Sequence, residues 1–561
     1  MKETAMPHHS GDLELLLAHA DTNTPVLGEG LPEDSASGEQ ERPDTGEHEP
    51  IRFWDEGGDP NDLEAQRWSL ILPEGSQGDR LRALIQPLLA LRREQQGGHP
   101  IQEYRVPSRP MSMAEAAQWR KAHYDSGENT NTNLPRYQLI LGDLDQVPLA
   151  IQQMQASDGY VGRLHFSDEQ GYEAYVEKLL RAEKLPRTAP GRLLLHTAHD
   201  GSGALDAGYK FLITPGLELV RGEMDAGLFP ASGCDIHGRE LDPGLDQFLA
   251  STAHTTPGVL FSMSHGIGAP KGGWTSERER LVGQGAMSFG RQGQLPAAEL
   301  ASRTFMPNGL WFMFACFGAG TPDTSAYGHW LEKLAETGRY SRLPDVMKTL
   351  SGRPFIAATP QKVLANPNGP LAFIGHVDLA WTFSFREDDS PAKKRPGRFI
   401  NTLKTLLKSN RVGIGFRELY RYLALTDTEL ASIQDEEVRT RATPTREELI
   451  RRGYLWMMRQ DLAGYVLLGD PAVRLPIEWR SPKQARPPAP SPPSVAVTPT
   501  PLAAAPLPIP ADKLEEAIGH VMTGERSLKE LATGYGIDRR ELERLAAIYC
   551  EAGRAALGIP E

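Results

Sequence analysis

Short apolar runs, each long enough for one strand and separated by stretches with helical spacing, dominate the chain from about residue 192 to 476. The predicted strands are Leu193–Thr197, Leu217–Arg221, Val259–Met263, Leu310–Ala315, Phe355–Ala358 and Ala372–Val377. Buried strands that alternate with helices form parallel sheets covered on both faces. The pattern therefore predicts an α/β fold with a mostly parallel sheet flanked by helices, in a main domain spanning residues 191–478.

A smaller α/β subdomain is predicted in front of this domain, over residues 51–190. Its predicted strands are Tyr137–Gly142 and Ala150–Gln155. A predicted helix at Asp79–Gln95 contains Pro87, which removes a backbone donor and is expected to kink the helix. The subdomain and the main domain together account for most of the 561 residues.

The two ends of the chain have compositions unlike the middle. Residues 1–50 are acidic and rich in Gly and Pro, which predicts a disordered N-terminal tail. Residues 479–510 form a predicted Pro-rich linker, with eleven prolines between positions 481 and 510. Residues 511–561 predict a small helical module that resembles a helix-turn-helix unit. This module carries seven Lys or Arg against ten Asp or Glu, so we expect it to bind a protein partner rather than nucleic acid.

Overall composition excludes several classes of protein. The net charge of −13 argues against a general nucleic-acid binder. Three cysteines, Cys234, Cys316 and Cys550, are too few for a disulfide-stapled secreted scaffold or a Cys-rich zinc site. No signal peptide is recognisable, and no apolar run approaches the roughly 20 residues of a membrane span. We therefore expect a cytoplasmic protein without a membrane span.

A histidine and a cysteine each follow a predicted buried strand. His265 comes directly after Val259–Met263 and is followed by Gly266, and Cys316 lies 51 residues later at the end of Leu310–Ala315. A histidine can generate the thiolate that a cysteine nucleophile requires. Taken singly, such a histidine is more often a structural residue, and such a cysteine a small core residue. Their joint occurrence at strand ends favours a catalytic pair, and their separation fits the roughly 50-residue spacing found in caspases.

The motifs around this pair resemble the gingipain-type branch of the caspase–hemoglobinase clan, which includes CHAT-type bacterial peptidases. The resemblance covers about residues 130–476. It rests on His265-Gly266 and Cys316 and on three flanking segments: Leu139–Asp143 with Val161–Arg163, Ile374–Trp381, and Leu467–Leu475. It implies a caspase-hemoglobinase-like sheet in residues 191–478 and a cysteine endopeptidase that acts on protein or peptide substrates.

The resemblance also implies a role for each residue of the pair. Cys316 attacks the substrate carbonyl, and His265 acts as general acid and base. The backbone N–H groups of Gly266 and Cys316 stabilise the oxyanion, and water then releases the acyl group. These steps require no metal ion or other cofactor, and no metal ligands are predicted.

Three acidic residues are weaker candidates. Asp200 and Asp235 are candidates for a third group that orients His265, although each is also typical of a turn. Asp323 is a candidate floor for a specificity pocket that accepts basic residues, or alternatively a turn-capping residue.

Two functions from different classes remain open in the sequence. The first is a regulated peptidase, controlled through residues 511–561 in bacterial defence or signalling, where the pathway rests on family analogy alone. The second is a catalytically inactive caspase-like scaffold or adaptor. The presence of both His265 and Cys316 favours the peptidase.

Overall fold

The computed structural model describes residues 13–35, 58–125, 134–254, 256–350, 352–385 and 396–479, apart from positions 29, 33–34, 239–241, 243, 339–342, 344–345, 347–348 and 442. The chain divides into two compact units, residues 1–485 and 486–561. The second unit, with most of the predicted Pro-rich linker and all of the predicted helical module, lies outside the described residues. Those predictions therefore stay predictions.

Strands of the first unit are numbered here in chain order. They are β1 (Leu17–His19), β2 (Trp68–Pro73), β3 (Gln102–Val106), β4 (Tyr137–Leu141), β5 (Tyr160–Leu164), β6 (Gly191–Thr197), β7 (Ala231–His237), β8 (Gly258–Met263), β9 (Gly266–Gly268), β10 (Leu310–Phe314), β11 (Gly320–Thr321), β12 (Phe355–Ile356), β13 (Ala372–His376) and β14 (Tyr465–Leu468).

The α-helices cover both faces of the sheet that these strands form. They are Leu63–Gln66, Gly75–Leu84, Gln86–Gln95, Met113–Trp119, Leu149–Ala156, Glu169–Glu183, Gly203–Gly208, Thr214–Asp225, Leu245–Thr252, Glu277–Gly283, Ala297–Leu300, Gly328–Glu336, Ala358–Ala365, Gly397–Leu407, Val412–Thr440 and Arg446–Ala463. Among the helices described, none combines the length and the apolar composition that crossing a membrane requires.

Ten strands form one sheet in the order β3-β2-β4-β5-β14-β13-β10-β8-β6-β7. Neighbouring strands run parallel except β13 and β14, which are antiparallel. The prediction of an α/β fold with a mostly parallel sheet flanked by helices is confirmed. Strands from the two predicted α/β parts share this sheet, and β14 joins them by lying between β5 and β13.

Two predicted strands are helices instead. Ala150–Gln155 lies within the helix Leu149–Ala156, and Leu217–Arg221 lies within the helix Thr214–Asp225. In the second helix, Leu217 and Val220 are buried at helical spacing, and Pro215 comes just after the π-helical turn Tyr209–Ile213. A short apolar run is compatible with a strand or a buried helix, and here the longer periodicity decides.

The helix predicted at Asp79–Gln95 is interrupted near its proline, as expected. Gly75–Leu84 ends before Ile85, and Gln86–Gln95 begins with Pro87 in its first turn. A proline tolerated at a helix start would break a helix interior, which explains why the chain restarts there.

Part of the predicted N-terminal tail is ordered, which differs from the expectation for residues 1–50. Residues 13–19 are buried, and Leu17–His19 form β1, which pairs in parallel with β9. The physical reason is local: four of these seven residues are leucines, and their burial stabilises a short segment inside an otherwise acidic stretch.

Candidate active site

His265 and Cys316 lie side by side at the end of two neighbouring strands. β8 and β10 pair in parallel, with Met263 beside Phe314. His265 and Cys316 each follow two residues later, at the carboxyl edge of the sheet, where open α/β sheets bind their ligands. Both side chains are buried, with 1% of His265 and 0% of Cys316 exposed.

One ring nitrogen of His265 is held by the loop after β6. Nε2 lies 2.8 Å from Ser202 Oγ and 3.5 Å from Asp200 Oδ2. Asp200 is fixed in turn, because its Oδ1 accepts a hydrogen bond of 2.9 Å from the Ser202 N–H. Nδ1 is buried and has no hydrogen-bond partner among the described residues. This arrangement orients the ring through Nε2 and leaves Nδ1 available.

Burial lowers the pKa of His265, and the carboxylate of Asp200 opposes this effect. Lowering the pKa of an imidazole favours its neutral form, which can accept a proton. Ser202 was not among the residues predicted from sequence. Its signal was its position two residues after Asp200 in the polar loop that follows a strand adjacent to β8.

Of the two candidates for orienting His265, the structure brings Asp200 to the ring and does not bring Asp235. Asp235 lies on β7, the outermost strand, where it forms an ion pair with Arg192 and is separated from β8 by β6. Asp323 is exposed. The buried carboxylate near that turn is instead Asp378, which accepts hydrogen bonds from Ser325 Oγ and the Ala326 N–H at 2.8 Å each.

The thiol of Cys316 is enclosed by backbone. Its Sγ accepts a hydrogen bond of 3.2 Å from the Ala380 N–H. Burial raises the pKa of Cys316 well above its ordinary value, although the backbone of Ala380 and, to a smaller extent, of Leu16 lowers it. This shift favours the neutral thiol over the thiolate.

Two backbone N–H groups beside the sulfur converge on one carbonyl oxygen. The Gly266 N–H donates to Leu16 O at 2.7 Å, and the Cys316 N–H donates to the same oxygen at 3.3 Å. A Cβ at position 266 would lie only 1.8 Å from the Cys316 carbonyl oxygen, so glycine is required there. Two donors fixed in this way can stabilise negative charge on a carbonyl oxygen.

The turn after Cys316 is strained. Phe317 has a φ of +55°, in the left-handed region that costs a side-chain-bearing residue roughly 1–2 kcal/mol. Its N–H donates to Asp378 O at 2.9 Å, which helps to hold this conformation. Strain of this kind concentrates at functional sites, where surrounding structure fixes the backbone.

Among the residues described, no three His, Cys, Asp or Glu side chains are grouped in a way that could hold a metal ion. No protein-family model matches the chain, and no curated protein matches it. One solved structure, described as "Structure of Protease", resembles it with a TM-score of 0.41 and 13% identity, covering 73% of this chain and 78% of that one. These values are too low to assign a family or a function.

Proposed function

We propose that this chain is a cysteine endopeptidase of caspase-like type, with Cys316 as nucleophile and His265 as general acid and base. The observation that carries the proposal is the convergence of the Gly266 and Cys316 N–H groups on one peptide carbonyl oxygen next to the Cys316 thiol. A buried histidine at the neighbouring strand end completes the set of groups that acyl transfer needs.

In the proposed reaction, His265 Nδ1 takes the thiol proton as Cys316 Sγ adds to the carbonyl carbon of the substrate. The negative charge that develops on the carbonyl oxygen is stabilised by the Gly266 and Cys316 N–H groups. The carbon–nitrogen bond then breaks, and His265 returns the proton to the leaving amine. Water, deprotonated by His265, hydrolyses the thioester and releases the new carboxyl end and the free thiol.

Asp200 and Ser202 act as positioning residues in this proposal. By holding Nε2, they fix the ring orientation and the tautomer in which Nδ1 is the basic nitrogen. The carboxylate of Asp200 also stabilises the imidazolium that forms when His265 accepts the thiol proton. Regulation by a protein partner of residues 511–561 is a further part of the proposal and rests on family analogy.

The test is to profile cleavage of a peptide library by the wild type, Cys316→Ala and His265→Ala. We expect Cys316→Ala to abolish cleavage and His265→Ala to lower the rate by at least about 100-fold, the usual contribution of general acid–base catalysis. Cys234→Ala is the matched control, because Cys234 is the half-buried cysteine of β7, away from the β8–β10 edge. It should keep the wild-type rate.

The inactive-scaffold alternative makes the opposite prediction. If the chain is a scaffold, the wild type cleaves no library member, and a thiol-reactive probe labels Cys316 no faster than Cys234. Loss of probe labelling at Cys316 on His265→Ala would support the peptidase, since the scaffold needs no base beside the sulfur.

A further inference from the structure

The carbonyl group held by the two N–H donors belongs to the protein's own N-terminal segment, residues 13–19. On one side of Leu16, its N–H donates to Ala380 O at 3.3 Å, and Leu15 forms an antiparallel bridge with Trp381. On the other side, Leu17–His19 pair in parallel with Gly266–Gly268. The segment is thus an extended strand that passes over Cys316 and is held by backbone on both sides of the Leu16–Leu17 bond.

The pairing of residues 13–19 resembles that of an extended peptide that binds by adding a strand to exposed backbone. In such binding, main-chain hydrogen bonds fix the register of the peptide, and pockets select its side chains. In this register only the Leu16 carbonyl meets both N–H donors. The neighbouring carbonyl of Leu17 is bonded elsewhere, since it accepts a hydrogen bond of 2.9 Å from the Val26 N–H. The Leu16–Leu17 bond is therefore the one presented to Cys316.

The side chain of Leu16 is closed off from solvent. Leu16 and Leu17 have no exposed surface, and Leu13 and Leu15 are 1% and 2% exposed. Full burial of one leucine side chain is worth roughly 1.5–3 kcal/mol, so the segment binds through its leucines. Asp323, the acid predicted to select a basic residue, is exposed and does not offer a counter-charge inside such a pocket.

The chain that follows Leu17 anchors the segment further. Leu13 and Leu31 exchange two backbone hydrogen bonds, of 2.6 and 3.0 Å, and the His19 N–H donates to Thr24 O at 2.9 Å. His19 Nδ1 also lies 3.2 Å from Ala269 O. A segment anchored in this way has a high effective concentration at the site, because it is part of the same chain.

We infer that the Leu16–Leu17 bond is a self-cleavage site and that the peptidase selects leucine immediately before the bond it cuts. This inference rests on the proposed function. Cys316 Sγ adds to the Leu16 carbonyl carbon, the bond to the Leu17 nitrogen breaks, and that nitrogen takes the thiol proton by way of His265. Water then hydrolyses the thioester of residues 1–16, giving the Leu16 carboxylate and the free thiol.

Self-cleavage also opens the site. Before it, residues 13–16 occupy the backbone of Ala380 and Trp381 and both oxyanion donors, so no second peptide can bind there. After it, residues 1–16 are no longer covalently tethered and can leave, while Leu17–His19 remain paired with β9. The uncut chain is in this view the inactive precursor of a leucine-directed peptidase.

The experiment incubates purified full-length protein and follows its intact mass and N-terminal sequence. We expect the wild type to lose residues 1–16 and to start at Leu17, at a rate that does not depend on protein concentration. Cys316→Ala should stay uncut. Leu16→Asp should be cut at least about 100-fold more slowly, because its carboxylate would have to be buried away from solvent. Leu219→Asp, which places the same change at a leucine that is 47% exposed, should match the wild type.

Leu16→Met tests the pocket with a smaller risk of misfolding, since methionine is apolar and close to leucine in volume. This variant should still be cut after residue 16.

A library of peptides, each added to wild type and to Leu16→Asp, distinguishes failure of this inference from failure of the proposed function. If library peptides are cleaved but the full chain is never cut between Leu16 and Leu17, or if the cleaved peptides lack a leucine preference, the inference is wrong and the proposed function stands. If neither the chain nor any peptide is cut, both are wrong.

Discussion

Replacing Gly266 with alanine should disable the site with little change to the rest of the molecule. A Cβ built at this position lies 1.8 Å from the carbonyl oxygen of Cys316, whereas ordinary contacts begin at 3.4 Å. The two strand ends must therefore separate by about 1.6 Å, which is the difference between these two distances. The obstacle is backbone, so no side-chain rotation relieves it.

The displacement is large compared with the tolerance of the oxyanion donors. The Gly266 and Cys316 N–H groups lie 2.7 and 3.3 Å from the carbonyl oxygen, and a further ångström takes at least one of them out of hydrogen-bond range. Loss of one such donor typically lowers kcat by about 100- to 1000-fold, or about 2.7–4 kcal/mol of transition-state stabilisation. Overpacking should also lower the free energy of unfolding by about 1–3 kcal/mol.

The assay measures kcat on a fluorogenic peptide with the Glu14–Leu16 sequence before the cleaved bond, together with the rate at which residues 1–16 are released. Gly272→Ala is the matched control, since a Cβ there has no neighbour within 4 Å. A Gly266→Ala protein that folds and retains a kcat within about threefold of the control, less than 1 kcal/mol, would refute the assignment of this N–H as a donor.

Two further changes test the surroundings of the site. Asp200→Asn should lower kcat at least about tenfold with little change in KM. The acid limb of the kcat–pH profile should also move to lower pH, because the Asp200 carboxylate raises the pKa of His265. An unmoved profile would contradict this role of Asp200. Asp461 is a buried residue whose Oδ1 accepts a hydrogen bond of 2.8 Å from the Trp381 N–H. Burial raises the pKa of Asp461 to about 7, so between pH 4 and that value the folded protein holds a proton that the unfolded chain has lost. The free energy of unfolding should therefore fall as pH rises through this window, and urea unfolding at pH 5 and pH 8 should show a smaller fall for Asp461→Asn than for the wild type.

The central strands could be predicted because their sequences carry one strong signal each. Val259–Met263 and Leu310–Ala315 are apolar runs bounded by glycine or polar residues, and the structure has β8 and β10 there. Once these two strands are parallel neighbours, the residues that follow them must meet at one edge. The proximity of His265 and Cys316 was therefore accessible from sequence.

Other features depend on contacts between distant parts of the chain, which no local pattern specifies. Leu217–Arg221 has the composition of a strand, and only its place within Thr214–Asp225 makes it helical. Residues 13–19 are rich in leucine, but the acidic average composition of residues 1–50 favours a prediction of disorder. Their order depends on Ala380, Trp381 and Gly266, and no pattern within residues 1–50 indicates those partners. The choice of Asp200 over Asp235 likewise follows from strand order, since β6 borders β8 and β7 does not.

Strand β14 is synthesised near the end of the described chain, yet it lies between β5 and β13 in the sheet. A nascent chain on the ribosome therefore carries the strands on either side of it as two separate sets until Tyr465–Leu468 has emerged. Leu13–His19 emerge long before Ala380 and Trp381, which hold this segment through Leu15 and Leu16. Residues 13–16 are thus already present in the nascent chain when Ala380 and Trp381, which hold them over Cys316, are synthesised.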